Sequence, residues 1–335
     1  MADPVVSVLV PVRDEALYLD EALRSLAVQT FEDFEVIVVD DGSTDASPEI
    51  AAAYAASDRR FRLVRQGRLG VVAASERARA EARGRYVACM DGDDRARPHR
   101  LELQLDALQS EDLVACGGGV SYFSEDRLGD GSLRYANWLN SLTTPELAAR
   151  DVFVESPISN PTLFAHRGAL DSVGGYRETP WPEDYDLVLR LWAAGGRFRN
   201  LDTVVHDWRD HPDRLSRTSP RYAVDAFVRC KVHHLRRTLL RGGQQAAVWG
   251  AGPVGKMFAR ELLRAGVVVA EFIEVDPRKI GKRIYAIPVR GAADAAAPPA
   301  GVALGAVAGA AARLKLRTLA GEQGRVEGVD FVAVA

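Results

Sequence analysis

The stretch YVACMDGDD, residues 86–94, places an apolar run directly before a cluster of acidic residues. A second stretch, VIVVDDGS at residues 36–43, has the same order of an apolar run followed by two aspartates. A third, VSVLVPVRDE at residues 6–15, ends in an aspartate and a glutamate. Short β-branched runs of this kind are typical of buried strands in a parallel sheet. The three stretches therefore predict strands that each end in an acidic loop.

Helices are predicted between these strands. Apolar residues recur at helical spacing in residues 15–29, and residues 45–56, 70–83 and 98–108 also favour helices. Residues 61–64 form a further short apolar run that predicts a third strand in chain order. Strands that alternate with helices indicate parallel strands joined by right-handed crossovers. In such sheets ligands bind in the crevice beyond the carboxyl ends of the strands.

The acidic loops are therefore expected to meet in one crevice. Carboxylates that share a crevice raise one another's pKa values unless a cation is present. Asp91 and Asp93 in the Asp-x-Asp pattern offer hard oxygen ligands that suit Mg²⁺ or Mn²⁺. The alternative is an ordinary solvated acidic turn, because acidic turns are common. The position of this turn after a buried strand, facing a second acidic strand end, favours the metal site.

The same stretches resemble those of family 2 glycosyltransferases of the GT-A fold. The resemblance continues in NPTL at 160–163, VGGYR at 173–177 and PEDYDLVLR at 182–190, so it covers about residues 5–220. It implies an α/β fold with a mostly parallel central sheet and helices on both faces. It also implies a nucleotide-diphosphate sugar as donor, a hydroxyl group as acceptor, and Mn²⁺ or Mg²⁺ as cofactor.

The resemblance assigns residues to the donor pocket, namely Pro11, Val12, Glu15, Asp41, Asp91 and Gly92. Asp41 is expected to bind the nucleotide base or ribose, and Asp91 is expected to lie near the ribose. Asp93 is expected to ligate the metal ion that holds the diphosphate.

The resemblance also implies the chemistry. Asp184 matches the general base that takes the proton from the acceptor hydroxyl in a single inverting displacement at the anomeric carbon. The transition state is expected to resemble an oxocarbenium ion, as in glycoside hydrolysis. The alternative for Asp184 is a carboxylate that only begins a helix, because acidic residues favour the first turn.

Three further candidates come from loops. WRDH at 208–211 and RLSR at 214–217 also resemble a family segment, so His211 is predicted to reach the metal or the diphosphate. Arg217 is predicted to contact the phosphates, where a guanidinium suits bidentate binding. Arg68, just before Gly70, is a weaker candidate for a phosphate contact. The alternative for all three is an ordinary position in a surface loop.

The identity of the substrates is less defined. UDP is the nucleotide favoured by the family analogy, with GDP and dTDP as alternatives. A saccharide or a lipid-linked acceptor is expected, in the synthesis of a surface polysaccharide. The Gln-x-x-Arg-Trp pattern of processive synthases is absent from the sequence, so we predict transfer of one sugar at a time.

Three segments are predicted along the chain: a catalytic domain over 1–222, a linker helix over 223–243 and a smaller domain over 244–335. The linker is basic and amphipathic, and it is predicted to be a connector rather than a membrane-surface helix. The glycine-rich run GAGPVG at 250–255 lies between a predicted strand and a helix, as in Rossmann-like nucleotide-binding modules. We expect a structural or docking role for this domain, with nucleotide binding as the alternative.

Composition excludes some classes of protein. The net charge is −3, whereas nucleic-acid-binding proteins generally carry an excess of positive charge. No apolar stretch of 18 residues predicts a transmembrane helix, and the N-terminus lacks the pattern of a secretory signal. The three cysteines form no CxxC pair, which favours a reducing compartment. We therefore expect a cytoplasmic location, with peripheral contact at the inner face of the membrane as an alternative.

Three other functions compete with this interpretation. A sugar nucleotidyltransferase would require a basic, glycine-rich loop after the first strand, where this chain has Arg13, Asp14 and Glu15. An NAD-dependent oxidoreductase centred on the C-terminal domain would leave the acidic crevice unexplained. A non-catalytic carbohydrate-binding module would need neither a metal site nor a base.

Overall fold

The computed structural model describes residues 3–124, 128–293 and 301–335. The chain forms two compact units. The first contains the chain up to Ala148 together with Pro157–Thr179 and Asp186–Thr218. The second contains Ala149–Ser156, Pro180–Tyr185 and Ser219–Ala335. The domain boundaries proposed from the sequence, at 222 and 243, stay predictions.

A single large sheet forms the centre of the first unit. Its strands within the described residues are β1 (Val6–Val12), β2 (Phe34–Asp41), β3 (Phe61–Gln66), β4 (Tyr86–Cys89), β5 (Arg95–Ala96), β6 (Ala115–Phe123), β7 (Phe164–His166) and β8 (Phe198–Arg209). They lie in the order β3-β2-β1-β4-β7-β6-β8-β5. Strands β1 to β4 are parallel to one another, whereas β7 runs antiparallel to both β4 and β6.

The helices follow the strands in alternation over the first half of the chain. They are α1 (Leu19–Ala27), α2 (Ser47–Ser57), α3 (Val71–Glu81), α4 (Arg100–Ser110), α5 (Asp130–Asn140), α6 (Pro145–Asp151), α7 (Arg167–Ser172), α8 (Glu183–Ala193) and α9 (Leu215–Thr218). The apolar face of α1, which includes Leu19, Leu23 and Leu26, packs into the same core as β1 and β2. The predicted α/β fold is confirmed.

Helix α1 begins later than the sequence predicted. Its first residue is Leu19, not Glu15. Two backbone N–H groups before α1 donate to the segment that follows β2: Asp14 N to Ser43 Oγ in the β2–α2 loop at 3.0 Å, and Glu15 N to Ser47 Oγ at the start of α2 at 2.8 Å. Asp14 has a φ of 54°, outside the helical region. These contacts join the loops that follow β1 and β2 at the carboxyl edge of the sheet.

The second unit has its own smaller sheet. Its strands within the described residues are β9 (Gln245–Trp249), β10 (Val269–Glu274), β11 (Arg283–Ile284), β12 (Ile287–Gly291), β13 (Gly301–Gly305) and β14 (Phe331–Ala333). Their order is β11-β12-β10-β9-β13-β14, and only the pairing of β11 with β12 is antiparallel in this part of the chain. Its helices are α10 (Val224–Arg237), α11 (Pro253–Arg264) and α12 (Ala310–Glu322).

The glycine-rich run follows β9, as predicted, and its second half, from Pro253, forms the first turn of α11. A Cβ on Gly255 would lie 1.8 Å from the carbonyl oxygen of Gly250, so only glycine fits there. Glu274, at the end of β10, accepts from Ala251 N at 3.1 Å and from Lys279 Nζ at 2.9 Å. In dinucleotide-binding folds an acidic residue at about this distance after the glycines binds the ribose. Here Glu274 is engaged by the loop itself, which supports a structural role for this motif.

No helix within the described residues is both long and apolar enough to cross a bilayer.

Candidate active site

The carboxyl ends of the parallel strands carry the predicted donor residues. Val12 ends β1, Asp41 ends β2, and Asp91 and Asp93 follow β4 within four residues. Strand β1 pairs with both β2 and β4, so the three ends are neighbours at one edge of the sheet. This topology brings the acidic ends of the three strands together, while their binding of a donor stays a prediction.

Three aspartates after β4 form a compact cluster. One carboxylate oxygen of each of Asp91, Asp93 and Asp94 lies within 4.8 Å of the others. Asp94 is buried, and the other two are half-buried. Oxygen ligands at this spacing match the preference of Mg²⁺ and Mn²⁺ for carboxylates.

Asp94 is held by contacts with β8, which the sequence did not predict. Its Oδ2 lies 2.9 Å from Nε2 of His206, and both side chains are inaccessible to solvent. Its Oδ1 accepts from Arg209 N at 2.8 Å. Burial and the charge of Asp93 raise the pKa of Asp94 well above its ordinary value, and burial lowers the pKa of His206. Both directions favour a pair with no net charge, which fixes the acidic loop to the sheet.

Arg209 adds two contacts to the same loop. Its Nε donates to the carbonyl oxygen of Asp93 at 2.7 Å, and its Nη2 donates to Glu21 on α1. The guanidinium lies 4.3 Å from the ring centre of Tyr18 and 4.5 Å from that of Phe123, both of which are cation–π contacts. Arg209, at the end of β8, thus fixes the backbone at Asp93, a predicted metal ligand.

His211 contacts Asp93 of the aspartate cluster, and its predicted contact with a metal ion or a diphosphate stays a prediction. Its Nε2 lies 2.9 Å from Oδ2 of Asp93, and each side chain is 13% exposed. The imidazole also lies 5.1 Å from the ring of Tyr18. A carboxylate and an imidazole that meet at the mouth of an acidic cluster can both turn toward a cation.

Glu15 shows the electrostatic cost of the crevice. Burial, followed by the charges of Asp93 and Asp91, raises the pKa of Glu15 from 4.5 to about 8. A carboxyl group with a raised pKa in the folded state binds a proton that the unfolded chain has already lost at neutral pH. Folding is therefore less favourable at high pH, and a bound cation would relieve this cost.

Glu15→Gln should stabilise the metal-free protein in a pH-dependent manner. The wild-type carboxyl destabilises the fold as the pH rises from about 4.5, the unfolded value, to about 8, the folded value. Each pKa unit corresponds to about 1.4 kcal/mol, so the full penalty is on the order of 5 kcal/mol. We expect the variant to melt several degrees above wild type at pH 8.5 in EDTA, with little difference at pH 5.

Glu49→Gln, on the exposed face of α2, is the matched control for this charge change. Its melting temperature should follow wild type at both pH values. Equal stabilisation by the two substitutions would show that net charge, rather than the crevice, is responsible.

Asp41 is buried and accepts three hydrogen bonds, one from the last residue of β3 and two from the β3–α3 loop. Its Oδ1 accepts from Gln66 Nε2 and from Leu69 N, and its Oδ2 accepts from Gly70 N, all at 2.8 Å. Asp41 therefore orders the loop that carries Arg68, whose side chain is exposed. The predicted contacts of Asp41 with the base and of Arg68 with a phosphate stay predictions.

Gly92 packs directly against β1. A Cβ on Gly92 would lie 2.8 Å from Cγ1 of Val12 and 3.5 Å from Cγ of Glu15. The absent side chain allows the acidic loop to approach the end of β1. The structure thus brings together Val12, Glu15 and Gly92. Pro11 lies next to Val12 on β1.

Arg217 is paired with a neighbouring acid. It lies on α9, and its Nη2 is 2.5 Å from Oδ1 of Asp210. Arg214, which the sequence argument did not single out, stacks on Trp208 at 4.8 Å from the ring centre. The predicted phosphate contact of Arg217 would require it to exchange Asp210 for the ligand.

Asp184 lies in the first turn of α8, which begins in the second unit. Its side chain is half-buried, and its Oδ1 accepts from Tyr185 N at 2.7 Å. The helix-start alternative therefore describes its position correctly, while its role as a base stays a prediction.

The donor set fits a divalent cation. Both oxygens of Asp94 are occupied by His206 and Arg209, so Asp94 is suited to hold the loop. Asp93 with His211 would hold the ion, with Asp91 beside them in the cluster. An ion there would offset the mutual repulsion that raises the pKa of Glu15.

The family model for glycosyl transferase family 2 matches residues 7–173. EpsE of Bacillus subtilis (strain 168), named as a candidate glycosyltransferase, is 31% identical over 231 residues, which is 67% of this chain and 80% of EpsE. The chondroitin synthase of Pasteurella multocida (strain Pm70) is 28% identical over 213 residues, which is 64% of this chain and 21% of that protein.

Two solved structures share the fold. The TarS fragment 1–349 of S. aureus, in complex with UDP-GlcNAc, has a TM-score of 0.57 at 19% identity, covering 77% of this chain and 72% of that one. The mannosyltransferase PcManGT of Pyrobaculum calidifontis, in complex with GDP-Man and Mn²⁺, has a TM-score of 0.53 at 17% identity. The aligned region covers 96% of this chain and 81% of the PcManGT chain.

Proposed function

This chain belongs to glycosyltransferase family 2 and has its GT-A fold, and from that premise we propose an inverting, metal-dependent sugar transfer. The donor is a nucleotide-diphosphate sugar, with a UDP-sugar favoured. The acceptor is a hydroxyl group of a saccharide or of a lipid-linked sugar.

The observation that carries this proposal is the acidic cluster beside Glu15. Asp91, Asp93 and Asp94 lie together at the carboxyl edge of the sheet, and His211 contacts Asp93. Burial together with these charges raises the pKa of Glu15 to about 8. A site with this many neighbouring carboxyl groups is suited to a divalent cation that is also ligated by the phosphates of a substrate.

The proposed chemistry is a single displacement. Asp184 takes the proton from the acceptor hydroxyl, and the acceptor oxygen forms a bond to the anomeric carbon. The bond from that carbon to the diphosphate oxygen breaks, and the nucleoside diphosphate leaves with the electron pair. A divalent ion, when bound, neutralises charge on the departing diphosphate. Asp41 and the loop it orders contact the base or ribose, and Arg68 and Arg217 contact the phosphates.

The relatives support a role in polysaccharide synthesis. A chondroitin synthase is among the similar sequences, and the structural neighbours hold UDP-GlcNAc or GDP-Man. We propose that this chain adds one sugar at a time, in the cytoplasm or at the inner face of the membrane. Mn²⁺ is the first ion to test, because one neighbour contains it.

The competing functions have weaker support. A dinucleotide-dependent oxidoreductase would use the loop at 250–255, but Glu274 already bonds Ala251 and Lys279. A sugar nucleotidyltransferase would bind a triphosphate beside Asp14 and Glu15, where negative charge already accumulates. A simple carbohydrate-binding module gives no reason for the crowded carboxylates.

The test is a thermal-shift panel of UDP, GDP, dTDP, CDP and NAD, each with and without Mn²⁺. A ligand that binds only the folded state raises the melting temperature as it saturates the site. We expect one nucleoside diphosphate to stabilise the protein only when Mn²⁺ is present. At a hundredfold excess over Kd the stabilisation is about 2.7 kcal/mol, or several degrees.

Two outcomes would contradict the proposal. Stabilisation by NAD alone, with no effect of Mn²⁺, would move the function to the second unit. Stabilisation by a nucleoside diphosphate to the same extent in EDTA would retain the donor but remove the metal.

A further inference from the structure

We propose that the second unit positions the catalytic carboxylate, with Tyr222, Glu183 and Tyr185 as positioning residues for Asp184. This inference rests on the proposed function, because it assumes that Asp184 is the base. It gives the C-terminal part of the chain a role in transfer that does not require it to bind a nucleotide.

The first contact joins Tyr222 to the residue before Asp184. Tyr222 Oη donates to Glu183 Oε1 at 2.8 Å, and the Glu183 side chain is 4% exposed. Tyr222 ends the short helix Pro220–Tyr222, which precedes α10. Arg221 lies 3.9 Å from the other oxygen of Glu183. A buried, hydrogen-bonded glutamate fixes the backbone at the start of α8.

The second contact holds the residue after Asp184. The Oη of the buried Tyr185 donates to the carbonyl oxygen of Val152 at 2.7 Å, and its ring lies 5.9 Å from that of Phe227 on α10. Asp184 is thus flanked on both sides by buried side chains with defined partners. Its own Oδ1 accepts from the N–H of Tyr185, so fixing Tyr185 also fixes the carboxylate.

The segment before Asp184 also contacts α10. The ring of Trp181 lies 4.7 Å from that of His233. Arg229 Nη2 donates to the carbonyl oxygen of Pro180 at 3.4 Å. Residues 180–185 therefore lie along α10, which explains why they group with the C-terminal part of the chain.

The partner segment, residues 149–156, is itself anchored in the second unit. The buried Lys231 on α10 donates to the carbonyl oxygens of Val154 at 2.7 Å and Val334 at 3.1 Å. Arg317 on α12 donates to Asp151 at 2.5 Å. The acceptor of the Tyr185 hydroxyl thus belongs to a segment that two helices and the end of the chain hold in place.

A general base must lie within hydrogen-bond reach of the proton that it takes. A misplacement of about 1 Å by a distant substitution can cost about a hundredfold in rate. The contacts above hold Asp184 without touching the predicted donor residues. Weakening them should therefore lower kcat and leave donor binding intact.

The experiment compares Tyr222→Phe with wild type, Asp184→Asn and the control Tyr285→Phe. The probe is release of UDP from UDP-N-acetylglucosamine with Mn²⁺ and water as acceptor, or from UDP-glucose if the first donor is not consumed. Tyr222→Phe removes one hydroxyl, so we expect kcat to fall on the order of tenfold with unchanged donor KM. Tyr285 is 48% exposed in the second unit, and Tyr285→Phe should match wild type.

The outcomes separate the inference from the proposed function. Wild-type kcat in Tyr222→Phe alongside a large loss in Asp184→Asn would overturn the inference and leave the base assignment intact. A raised donor KM in Tyr222→Phe with kcat unchanged would also overturn it. Full activity of Asp184→Asn would remove the base assignment and the inference together.

A second variant covers the case in which Tyr222→Phe does not fold. Tyr185→Phe keeps the buried ring and removes the hydroxyl that donates to Val152. We expect the same fall in kcat at constant KM. If Tyr185→Phe folds and has wild-type kcat, the positioning role is overturned.

Discussion

Asp184→Asn should lower the rate of sugar transfer by about 10²- to 10⁴-fold, the range associated with loss of a general base. Asparagine keeps the size of the side chain and can still accept from Tyr185 N, as Asp184 does. It has no basic oxygen for the acceptor proton. We therefore expect the loss in kcat, with donor KM and the Mn²⁺-dependent thermal shift with UDP unchanged. Release of labelled UDP measures the rate.

Asp112→Asn is the control, because Asp112 is an exposed aspartate in the loop between α4 and β6, away from the contacts that hold Asp184. It should retain wild-type kcat. A loss of less than tenfold in Asp184→Asn would contradict the base assignment and leave Asp184 as a residue that only begins α8. Loss of the thermal shift would instead place Asp184 in donor binding.

The sequence predicted the parallel half of the large sheet well. Strands β1, β2 and β4 have apolar runs buried on both faces, and such runs carry a strong signal without any long-range information. Their acidic ends lie together because the carboxyl ends of parallel strands are at the same edge of the sheet. The cluster at Asp91 and Asp93 was therefore predictable from the order of the elements alone.

The sequence did not reveal what holds that cluster in place. Asp94 meets His206 across 112 positions of sequence, and its other oxygen meets the backbone of Arg209. No local pattern reports such contacts. One weak signal existed: His206 and Trp208 alternate along β8, so both side chains lie on one face of a strand that leads to His211.

Other features that the sequence did not predict lie in loops, where backbone N–H groups donate to side chains that are distant in the sequence. Helix α1 begins at Leu19, after a loop in which Asp14 has a φ of 54° and the N–H groups of Asp14 and Glu15 donate to Ser43 and Ser47. Asp41 also accepts from Leu69 N and Gly70 N and so orders a loop, a role that the sequence did not predict; its contact with the base or ribose stays a prediction. Helical or strand periodicity carries no information about such bonds.

Asp93→Asn should abolish the Mn²⁺-dependent stabilisation by a nucleoside diphosphate. Asparagine removes the charge that the predicted metal site depends on, while its amide can still contact His211. With ligand at a hundred times the wild-type Kd, we expect the stabilisation of about 2.7 kcal/mol to fall close to zero. Mn²⁺ binding, followed by electron paramagnetic resonance, should weaken by at least about 100-fold.

The same substitution should also raise the melting temperature of the metal-free protein at pH 8.5, where the Glu15 carboxyl ionises in the folded state. The charge of Asp93 is, after burial, the largest cause of the raised pKa of Glu15, so its removal relieves repulsion in the crevice. Asp202→Asn, an exposed change of the same charge on β8, should alter neither property. A variant that lost the Mn²⁺ response but also melted below wild type would indicate a damaged fold. Loss of the response together with a higher melting temperature would mean that Asp93 is kept for the ligand at the expense of stability.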